Sequence, residues 1–248
     1  MTKILLAHKI ELRPDQEQEQ FLLRSLGIAR KTWNEMLGRF SETKDWSKQN
    51  AVLFLKQLRV EFPFYSEVSS RTSRNVIDDL DSAYQRFFKK KGGFPKFKKK
   101  SHGGSFSIRE KEKFSIEGRQ LRIEKMKTKI PMRENLRLKG IPKQCTISRK
   151  AGKWFASILV EVEQLPYSDP NPVRKPSVGV DVGIKNLAVL SDGTRLEANQ
   201  PLKKRLRKLK KLQKKLAGQI KGSNRWNRTL TRLQKLYYYV TCKRNAVL

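Results

Sequence analysis

A single aspartate, Asp181, lies in the middle of the apolar stretch SVGVDVG at residues 177–183. A carboxylate in such surroundings costs free energy unless a metal ion, a cation or a hydrogen-bond donor compensates its charge. The first chemistry to consider is metal binding, because Mg²⁺ prefers oxygen ligands such as carboxylates. The alternative is a structural aspartate at the end of a strand, whose carboxylate accepts hydrogen bonds from turn amides.

The sequence offers Asp181 few partners for metal chemistry. From Ser177 onward the only other carboxylates are Asp192 and Glu197. An Asp-Gly turn at residues 192–193 is predicted at the far end of a hairpin, about five residues or roughly 16 Å along a strand from Asp181, so Asp192 cannot share its metal ion. A site with two metal ions needs several carboxylates around ions roughly 4 Å apart. Alone, Asp181 is predicted to be a weak metal ligand.

The charge of the chain indicates a polyanionic partner. Its 248 residues carry 56 Lys and Arg against 23 Asp and Glu, a formal net charge of +33. The surplus extends from Lys3 to Arg244 and is not confined to one tail, which favours contacts with an extended phosphate backbone. A structural RNA binder of the ribosomal type has the same composition and stays open as an alternative.

The cysteines and the N-terminus exclude other classes of protein. Cys145 and Cys242 are far apart and have no CxxC spacing, so the sequence predicts neither a disulfide framework nor a zinc ribbon. The apolar run ILLA at residues 4–7 is too short for a signal peptide or a membrane span. We therefore expect a cytoplasmic protein without membrane contact.

Three helices are predicted between residues 15 and 90. Pro14 and the acidic residues that follow it are typical of a first helical turn, and an apolar face with helical spacing runs from Leu22 to Met36. Ser47 is a candidate N-cap for a second helix, and residues 69–89 supply a third.

From about Ser105 apolar and polar residues alternate with the period of a β-strand. The longest such stretch, CTISRKAGKWFASILVEVE at 145–163, predicts a hairpin that turns at residues 150–153. Because the helical segment separates the first strand from these strands, the sequence predicts a β-barrel or sandwich with a helical insertion. PYSDPNPVRKP at 166–176 holds four prolines and is a predicted domain linker.

A basic segment, FFKKKGGFPKFKKKSHGG at residues 87–104, joins the helical and the β part and is called the basic linker below. Aromatic faces can stack on bases while lysines neutralise phosphates, so we expect nucleic-acid contacts here. The alternative is a solvated loop whose phenylalanines anchor it to the core. The candidate binding residues are Lys89, Lys90, Lys91, Phe94, Lys96, Phe97, Lys98, Lys99 and Lys100.

Residues 202–248 predict an antiparallel pair of helices with a break at KGSNRW. After Glu197 the sequence has sixteen Lys and Arg and no acidic residue, so salt bridges within the segment cannot neutralise it. Its charges need an external anion. The candidate binding residues here are Lys203, Lys204, Arg207, Lys210 and Lys211.

Five stretches resemble, in order, the motifs of the TnpB family, the transposon-encoded RNA-guided DNA nucleases related to compact type V CRISPR effectors. HKIELRPDQEQEQFL and ARKTWNEML resemble the N-terminal strand and first helix of the family, and LDSAYQRFFKKKGGFPKFKKK resembles its basic linker. GVDVGIKNLAVLSDG resembles its first RuvC motif, and LRKLKKLQKKLAG the helical hairpin that follows. The resemblance covers essentially the whole chain.

The resemblance implies an α+β, multi-domain architecture. Residues 1–14 and 105–170 are expected to form a wedge-type β-barrel, 15–104 an inserted helical recognition domain with the basic linker, and 171–248 an incomplete RNase H-like RuvC domain. It also implies a guide RNA as cofactor, double-stranded DNA with a short flanking motif as target, and Mg²⁺ only where the RuvC site is completed. A prokaryotic, nucleoid-associated protein is expected.

The sequence departs from the family pattern in its catalytic residues. Family members continue with a second-motif Glu, a third-motif Asp and a four-cysteine zinc element, none of which follows here, so Asp181 is a vestigial first RuvC carboxylate. We expect a shortened relative that binds guide and target without cutting, in the manner of a transcriptional repressor, since no stump of a next strand precedes Leu248. The alternatives are the N-terminal portion of an active transposon endonuclease and a decayed remnant that binds RNA generally.

The helical part is expected to read the flanking motif. Polar and planar side chains near helix starts can reach base edges, and the candidates are Trp46, Gln49, Arg71 and Arg74. The alternative is that these are ordinary surface residues.

Overall fold

A computed structural model describes residues 2–100, 103–164, 178–183, 186–197 and 201–245. The described residues form an α+β structure, as the sequence predicts, and its contacts divide into two units, Met1–Pro166 and Tyr167–Leu248. The proline-rich stretch 166–176 lies outside the described residues. Among the helices that the structure describes, none is long and apolar enough to cross a lipid bilayer.

The first unit contains three helices: α1 (Gln16–Thr43), α2 (Lys48–Glu61) and α3 (Ser70–Phe88). Helix α1 begins with a capping box, in which Gln18 N donates to the Asp15 carboxylate and Asp15 N donates to the Gln18 side chain. The predicted cap Ser47 accepts from Asn50 N at the start of α2. These polar start signals agree with the apolar spacing, and all three predicted helices are confirmed.

Helices α2 and α3 are joined by a 3₁₀ turn, Pro63–Glu67. The guanidinium of Arg59, in the last turn of α2, donates to Ser70 O at 2.8 Å and to Ser73 Oγ at 3.0 Å. At the other end of α2, Lys48 Nζ lies 3.3 Å from the Asp81 carboxylate of α3. The two helices are therefore antiparallel.

The strands of the first unit are β1 (Thr2–Leu12), β2 (Ser105–Ile108), β3 (Phe114–Glu117), β4 (Gln120–Ile123), β5 (Ile130–Pro131), β6 (Ile141–Lys150) and β7 (Lys153–Gln164). They form two antiparallel sheets with the orders β1-β7-β6-β2 and β3-β4-β5. Strand β1 pairs with β7 along its whole length, from Thr2 opposite Gln164 to Leu12 opposite Trp154. A bridge between Leu12 and Met132 links the two sheets.

The expected barrel is not closed among the described strands, so that prediction is corrected to two open sheets. No strand pairing joins β2 to β3 in this part of the chain. Instead, Asn75 of α3 donates its amide to Ser107 O of the edge strand β2 at 2.9 Å. A helix side chain therefore satisfies a carbonyl that a barrel would pair with a further strand.

The β6–β7 hairpin turns as predicted, through Ala151 and Gly152, whose φ angles are 54° and 79°. Two consecutive positive φ angles suit the right-handed twist of the flanking strands, which is why a two-residue loop suffices. The alternating face of β7 is buried from Trp154 to Val160 and packs in one core with the helices.

The second unit holds a small sheet and a helix pair. Its strands β8 (Val180–Asp181), β9 (Asn186–Leu190) and β10 (Arg195–Glu197) are ordered β10-β9-β8. Its helices α4 (Pro201–Ala217) and α5 (Asn224–Asn245) pack through a small cluster of leucines, Leu209, Leu212, Leu216, Leu233 and Leu236. Both the Asp-Gly hairpin and the helix pair are where the sequence predicts them.

Candidate nucleic-acid interface

The basic linker is fixed to helix α1 by hydrogen bonds between side chains of α1 and the backbone of the linker. Asn34 Nδ2 donates to Lys98 O at 3.0 Å, and Lys98 N donates back to Asn34 Oδ1 at 2.8 Å. Trp33 Nε1 of α1 donates to Lys96 O, two residues before Lys98 in the linker, at 3.0 Å. The backbone polar groups of α1 are used within the helix, so these side chains supply the partners for the extended linker.

The lysines of the linker differ in what they contact. Lys98 Nζ lies 3.7 Å from the centroid of the Trp33 ring, a cation–π contact with the protein itself. Although Lys98 as a residue is exposed, desolvation at this contact lowers the pKa of its ammonium group, while the charge of Asp79 acts in the opposite direction. The other candidate lysines are exposed: Lys89, Lys90, Lys91, Lys96, Lys99 and Lys100.

The two phenylalanines of the predicted stacking pair have different surroundings. The Phe94 ring makes edge contacts with Phe87 and Tyr84, at centroid distances of 5.2 and 5.8 Å. Phe97 is 58% exposed, and its ring edge lies beside Gly38 of α1. No other aromatic ring in the described part of the chain stacks on Phe97. The anchoring interpretation therefore fits Phe94, and the stacking interpretation fits Phe97.

The four residues expected to read a flanking motif are not brought to one place. Trp46 donates its indole N–H to Asp81 at 3.2 Å and contacts the Phe40 and Tyr84 rings, so it is packed against the core. Asp81 lies seven and ten residues after Arg74 and Arg71, about 10 and 15 Å along helix α3.

Gln49 is exposed and lies in the first turn of α2, three residues after Trp46. Trp46 and Gln49 therefore lie at one end of the α2–α3 pair, and Arg71 and Arg74 at the other.

Arg71 and Arg74 instead belong to an arginine cluster with Arg59. Burial lowers the pKa of Arg59, and the charges of Arg71 and Arg74 lower it further. Arg71 Nη1 lies 3.3 Å from the Glu110 carboxylate. Arg71 Nε and Arg74 Nη1 are buried and have no hydrogen-bond partner among the described residues.

Sequence reasoning missed Arg59 in this cluster. The local signal points to Arg71, a cation in the first turn of α3 with no acidic residue there to compensate it, and not to Arg59, which lies in the last turn of α2. Two of the three guanidinium groups, those of Arg71 and Arg74, have buried donors without a partner among the described residues, and this arrangement favours the binding of an anion.

The candidate residues of the α4–α5 pair lie on its outer surface. Lys203, Arg207, Lys210 and Lys211 are exposed, and the side chain of Lys204 lies outside the described residues. Leu209 is buried between the helices. The ion pairs of the described residues all lie in the first unit, so the basic charge of this pair is not compensated by described acidic groups.

Asp181 lies on β8, at the edge of the three-stranded sheet, and is exposed. It pairs with Val189 of β9, which also pairs with Arg195 of β10. Directly paired residues point to the same face, so Asp181 and Arg195 share one face and buried Ala188 belongs to the other. Within the described residues no group of three His, Cys, Asp or Glu side chains is placed to hold a metal ion.

Asp192 has a structural role in the turn after β9. Its carboxylate accepts from Thr194 N at 2.8 Å, and this backbone hydrogen bond lowers the pKa of Asp192. Gly193 follows with φ of 85°, which completes the turn into β10. The turn-aspartate interpretation that the sequence leaves open for Asp181 therefore describes Asp192.

Comparison with known proteins identifies one family. A "Probable transposase" model, OrfB_IS605, matches residues 157–248, and the helix-turn-helix domain model of the same family matches residues 1–50. The "Putative RNA-guided DNA endonuclease InsQ" of Escherichia coli (strain K12) is 31% identical over 242 residues, which cover 95% of this chain and 59% of that protein.

A "Putative RNA-guided DNA endonuclease" of Streptomyces pristinaespiralis is 26% identical over 257 residues, covering 98% of this chain and 62% of the relative. The chain thus spans about three fifths of the length of these curated relatives. The two family matches lie at opposite ends of the chain, one over β1, α1 and the start of α2, and the other from the second part of β7 to α5. The chain belongs to the TnpB family.

Proposed function

We propose that the chain binds a guide RNA and, through that RNA, a matching double-stranded DNA target. The observation that carries this proposal is the basic linker, whose backbone is fixed on α1 by Asn34 and Trp33 while its described lysines other than Lys98 are exposed and make no cation–π contact with the Trp33 ring. Cations on a fixed backbone lose less conformational entropy when they bind phosphates than cations on a mobile loop do. The names of the two relatives support the RNA-guided part of the proposal.

The two units have different tasks in this proposal. The first unit is the wedge and helical recognition part, and the arginine cluster with Arg71 and Arg74 contacts the DNA that flanks the target. The second unit is the beginning of a RuvC domain, whose α4–α5 pair adds phosphate contacts. Sequence selection comes mainly from base pairing with the guide, as in other RNA-guided proteins.

The 248-residue polypeptide is proposed to bind its target without cutting it, and to act by occupying DNA as a repressor does. Asp181 does not fit a two-metal site by itself. Arg195 is the charged residue on its face of the small sheet, and no group of three His, Cys, Asp or Glu side chains in the described residues is placed to hold a metal ion. Mg²⁺ chemistry in this proposal requires carboxylates from outside the described residues.

A second candidate function is the N-terminal part of an active RNA-guided DNA endonuclease. The position of Asp181 favours it, because an exposed carboxylate on β8 can bind a metal ion together with carboxylates from a further part of the protein. The length of the relatives is compatible with it, since this chain spans only about three fifths of them. Both candidates require the same RNA and DNA binding and differ in cleavage.

The binding proposal is tested by purifying the chain from cells and measuring the nucleic acid that accompanies it. We expect RNA to co-purify, and affinity for that RNA to fall steeply between low and moderate salt because phosphate contacts release counterions. A protein free of RNA whose affinity is flat with salt would contradict the proposal.

A linker variant identifies the surface responsible. Changing Lys96, Lys99 and Lys100 to alanine removes three exposed cations of the linker and should weaken RNA binding and reduce its salt dependence. The control changes Lys56, Lys127 and Lys139, which are exposed elsewhere in the first unit, and removes the same charge. Equal losses in the two variants would mean that net charge, and not the linker, sets the affinity.

A further inference from the structure

A cavity of about 430 Å³ lies where helix α1, the basic linker and the edge of the β2–β6 sheet meet. Its size is within the range of about 300–1,000 Å³ that is typical of small-molecule sites. Its walls include Leu26, Ala29, Arg30, Phe97, Lys99 and Ser105.

The lining combines three kinds of chemistry. Leu26 and Ala29 give one apolar wall from α1, and the exposed Phe97 ring gives a flat one from the linker. Arg30 and Lys99 supply positive charge, and none of the described lining residues is acidic. A ligand that is flat and apolar at one end and anionic at the other matches this combination.

The backbone that carries the Phe97 ring is held in place before any ligand binds. Hydrogen bonds fix the peptide on each side of it, through Lys96 O to Trp33 and through both polar backbone groups of Lys98 to Asn34. The ring edge lies beside Gly38 of α1, where an added Cβ would be 4.0 Å from Phe97 Cε1, an ordinary van der Waals distance. An exposed ring on a fixed backbone costs less conformational entropy when a base stacks on it than a ring on a mobile loop.

The remaining wall of the cavity is formed by small residues at the edge of the sheet, including two serines. Ser105 and Ser148 are paired across β2 and β6, and both line the cavity. Gly104 also lines it, and a Cβ at that position would lie 3.7 Å from Leu26 Cδ2. Hydroxyl groups that donate and accept suit the edge of a nucleobase.

We propose that this cavity binds one unpaired nucleotide of the nucleic acid that the chain carries. The base lies against the Phe97 ring, and the phosphate lies by Arg30 and Lys99. The inference rests on the proposed function, because the nucleotide in the cavity belongs to the nucleic-acid strand that the basic linker is proposed to bind. The strand is RNA or single-stranded DNA, which share this chemistry.

Photocrosslinking with two defined probes tests the inference. The probes are a 15-nucleotide oligouridine RNA with one central 4-thiouridine and the matching oligothymidine DNA with one 4-thiothymidine. We expect at least one probe to crosslink within residues 95–100 or at Arg30, as located by mass spectrometry of the digested protein. Preference for the RNA or the DNA probe identifies the source of the nucleotide. Crosslinks from both probes that all map elsewhere would overturn the inference.

Affinity of matched variants provides the second measurement. Phe97→Leu keeps an apolar side chain but loses the ring, and we expect about a tenfold weaker affinity for the preferred probe. Phe88→Leu makes the same change at an exposed phenylalanine of the same linker that does not line the cavity, and should leave the affinity near that of the wild type. Arg30→Gln should weaken binding and reduce its salt dependence.

The two proposals fail in different ways. If the wild-type chain binds neither probe and carries no RNA, the proposed function itself is wrong. If the wild type binds with normal salt dependence but Phe97→Leu and Phe88→Leu have equal affinities, only the nucleotide site is wrong. Thermal unfolding of each variant without nucleic acid excludes loss of the fold as the cause.

Discussion

Asn34 of helix α1 and Lys98 of the basic linker form a reciprocal pair of hydrogen bonds across 64 residues of sequence, at 3.0 and 2.8 Å. The amide of Asn34 copies the donor and acceptor pattern of a neighbouring strand. This pair fixes the backbone of the linker at Lys98 and links the first helix to the candidate nucleic-acid surface.

Loss of this pair should weaken nucleic-acid binding without any change in charge. In Asn34→Ala the linker loses both hydrogen bonds, so we expect several-fold weaker RNA affinity and faster tryptic cleavage after the linker lysines. Asn50→Ala is the control, since Asn50 donates to Asp45 O at 3.0 Å away from the linker. Unchanged affinity and unchanged cleavage in Asn34→Ala would show that the linker does not need this attachment.

Arg74 and Arg109 allow a test of the arginine cluster. Arg109 pairs with Asp78 and Asp79 of α3. Arg74 lies on α3 itself, and its Nη1 is buried without a partner among the described residues. We therefore expect Arg74→Gln to reduce affinity for duplex DNA without loss of stability, and Arg109→Gln to reduce stability with little effect on affinity. The reverse pattern in binding and thermal-unfolding measurements would contradict an anion site at the cluster.

Glu11 should make stability depend on pH. Burial alone would raise its pKa, but hydrogen bonds and charges from Lys153 and Arg133 outweigh burial and lower it. A carboxylate with a lowered folded pKa stabilises the protein above its unfolded pKa, and this contribution is lost as the pH falls through the folded pKa. Glu11→Gln should therefore cost about 1–3 kcal/mol at pH 7 and almost nothing well below about pH 4.

Denaturant unfolding at several pH values measures this effect. Glu163→Gln is the matched control, because Glu163 is exposed on β7 and has no ion pair among the described contacts. A difference between Glu11→Gln and wild type that persists unchanged at low pH would mean that packing, and not charge, is responsible.

The two cysteines should react very differently with thiol reagents. Burial raises the pKa of the Cys145 thiol to about 12, so it remains protonated and covered near neutral pH, whereas Cys242 on α5 is exposed. We expect one labelled thiol in the native protein and two in denaturant, by mass spectrometry. Rapid labelling of Cys145 under native conditions would show that the β6–β7 core opens.

Local patterns predicted the elements well because they depend on neighbours in sequence. The start of α2 at Ser47, the turn at Ala151 and Gly152, and the α4–α5 pair all follow from short-range spacing and backbone preferences. Alternation also predicted the buried face of β7. It could not predict whether the strands close into a barrel, because that depends on which element covers the edge of β2.

The candidate surface was harder to predict because its contacts are long-range. Side chains near two helix starts looked like one cluster, yet the antiparallel packing of α2 and α3 separates Trp46 from Arg74 and brings Arg59 to the arginines instead. The attachment of Lys98 to Asn34 has no signal in either local segment. Periodicity assigns a residue to a face, and only tertiary packing decides which faces meet.

Asp181 should be dispensable for binding. Its carboxylate is exposed at the edge of β8, and no group of metal-holding side chains is found around it in the described residues. Asp181→Ala should therefore leave the affinity for RNA and for target DNA unchanged, with Asp181→Asn as the isosteric control. A loss of affinity in both variants, measured in Mg²⁺, would show that Asp181 takes part in binding.

The most direct measurement uses the RNA that co-purifies with the chain. That RNA is sequenced, and DNA duplexes that match successive parts of it are mixed with the RNA-loaded protein in Mg²⁺, followed by gel shift and by denaturing gels. We expect at least one matched duplex to be bound, mismatches to abolish this binding, and the DNA to stay intact. Equal binding of matched and scrambled duplexes would contradict RNA guidance, and cleavage that Asp181→Ala abolishes would contradict binding without cutting.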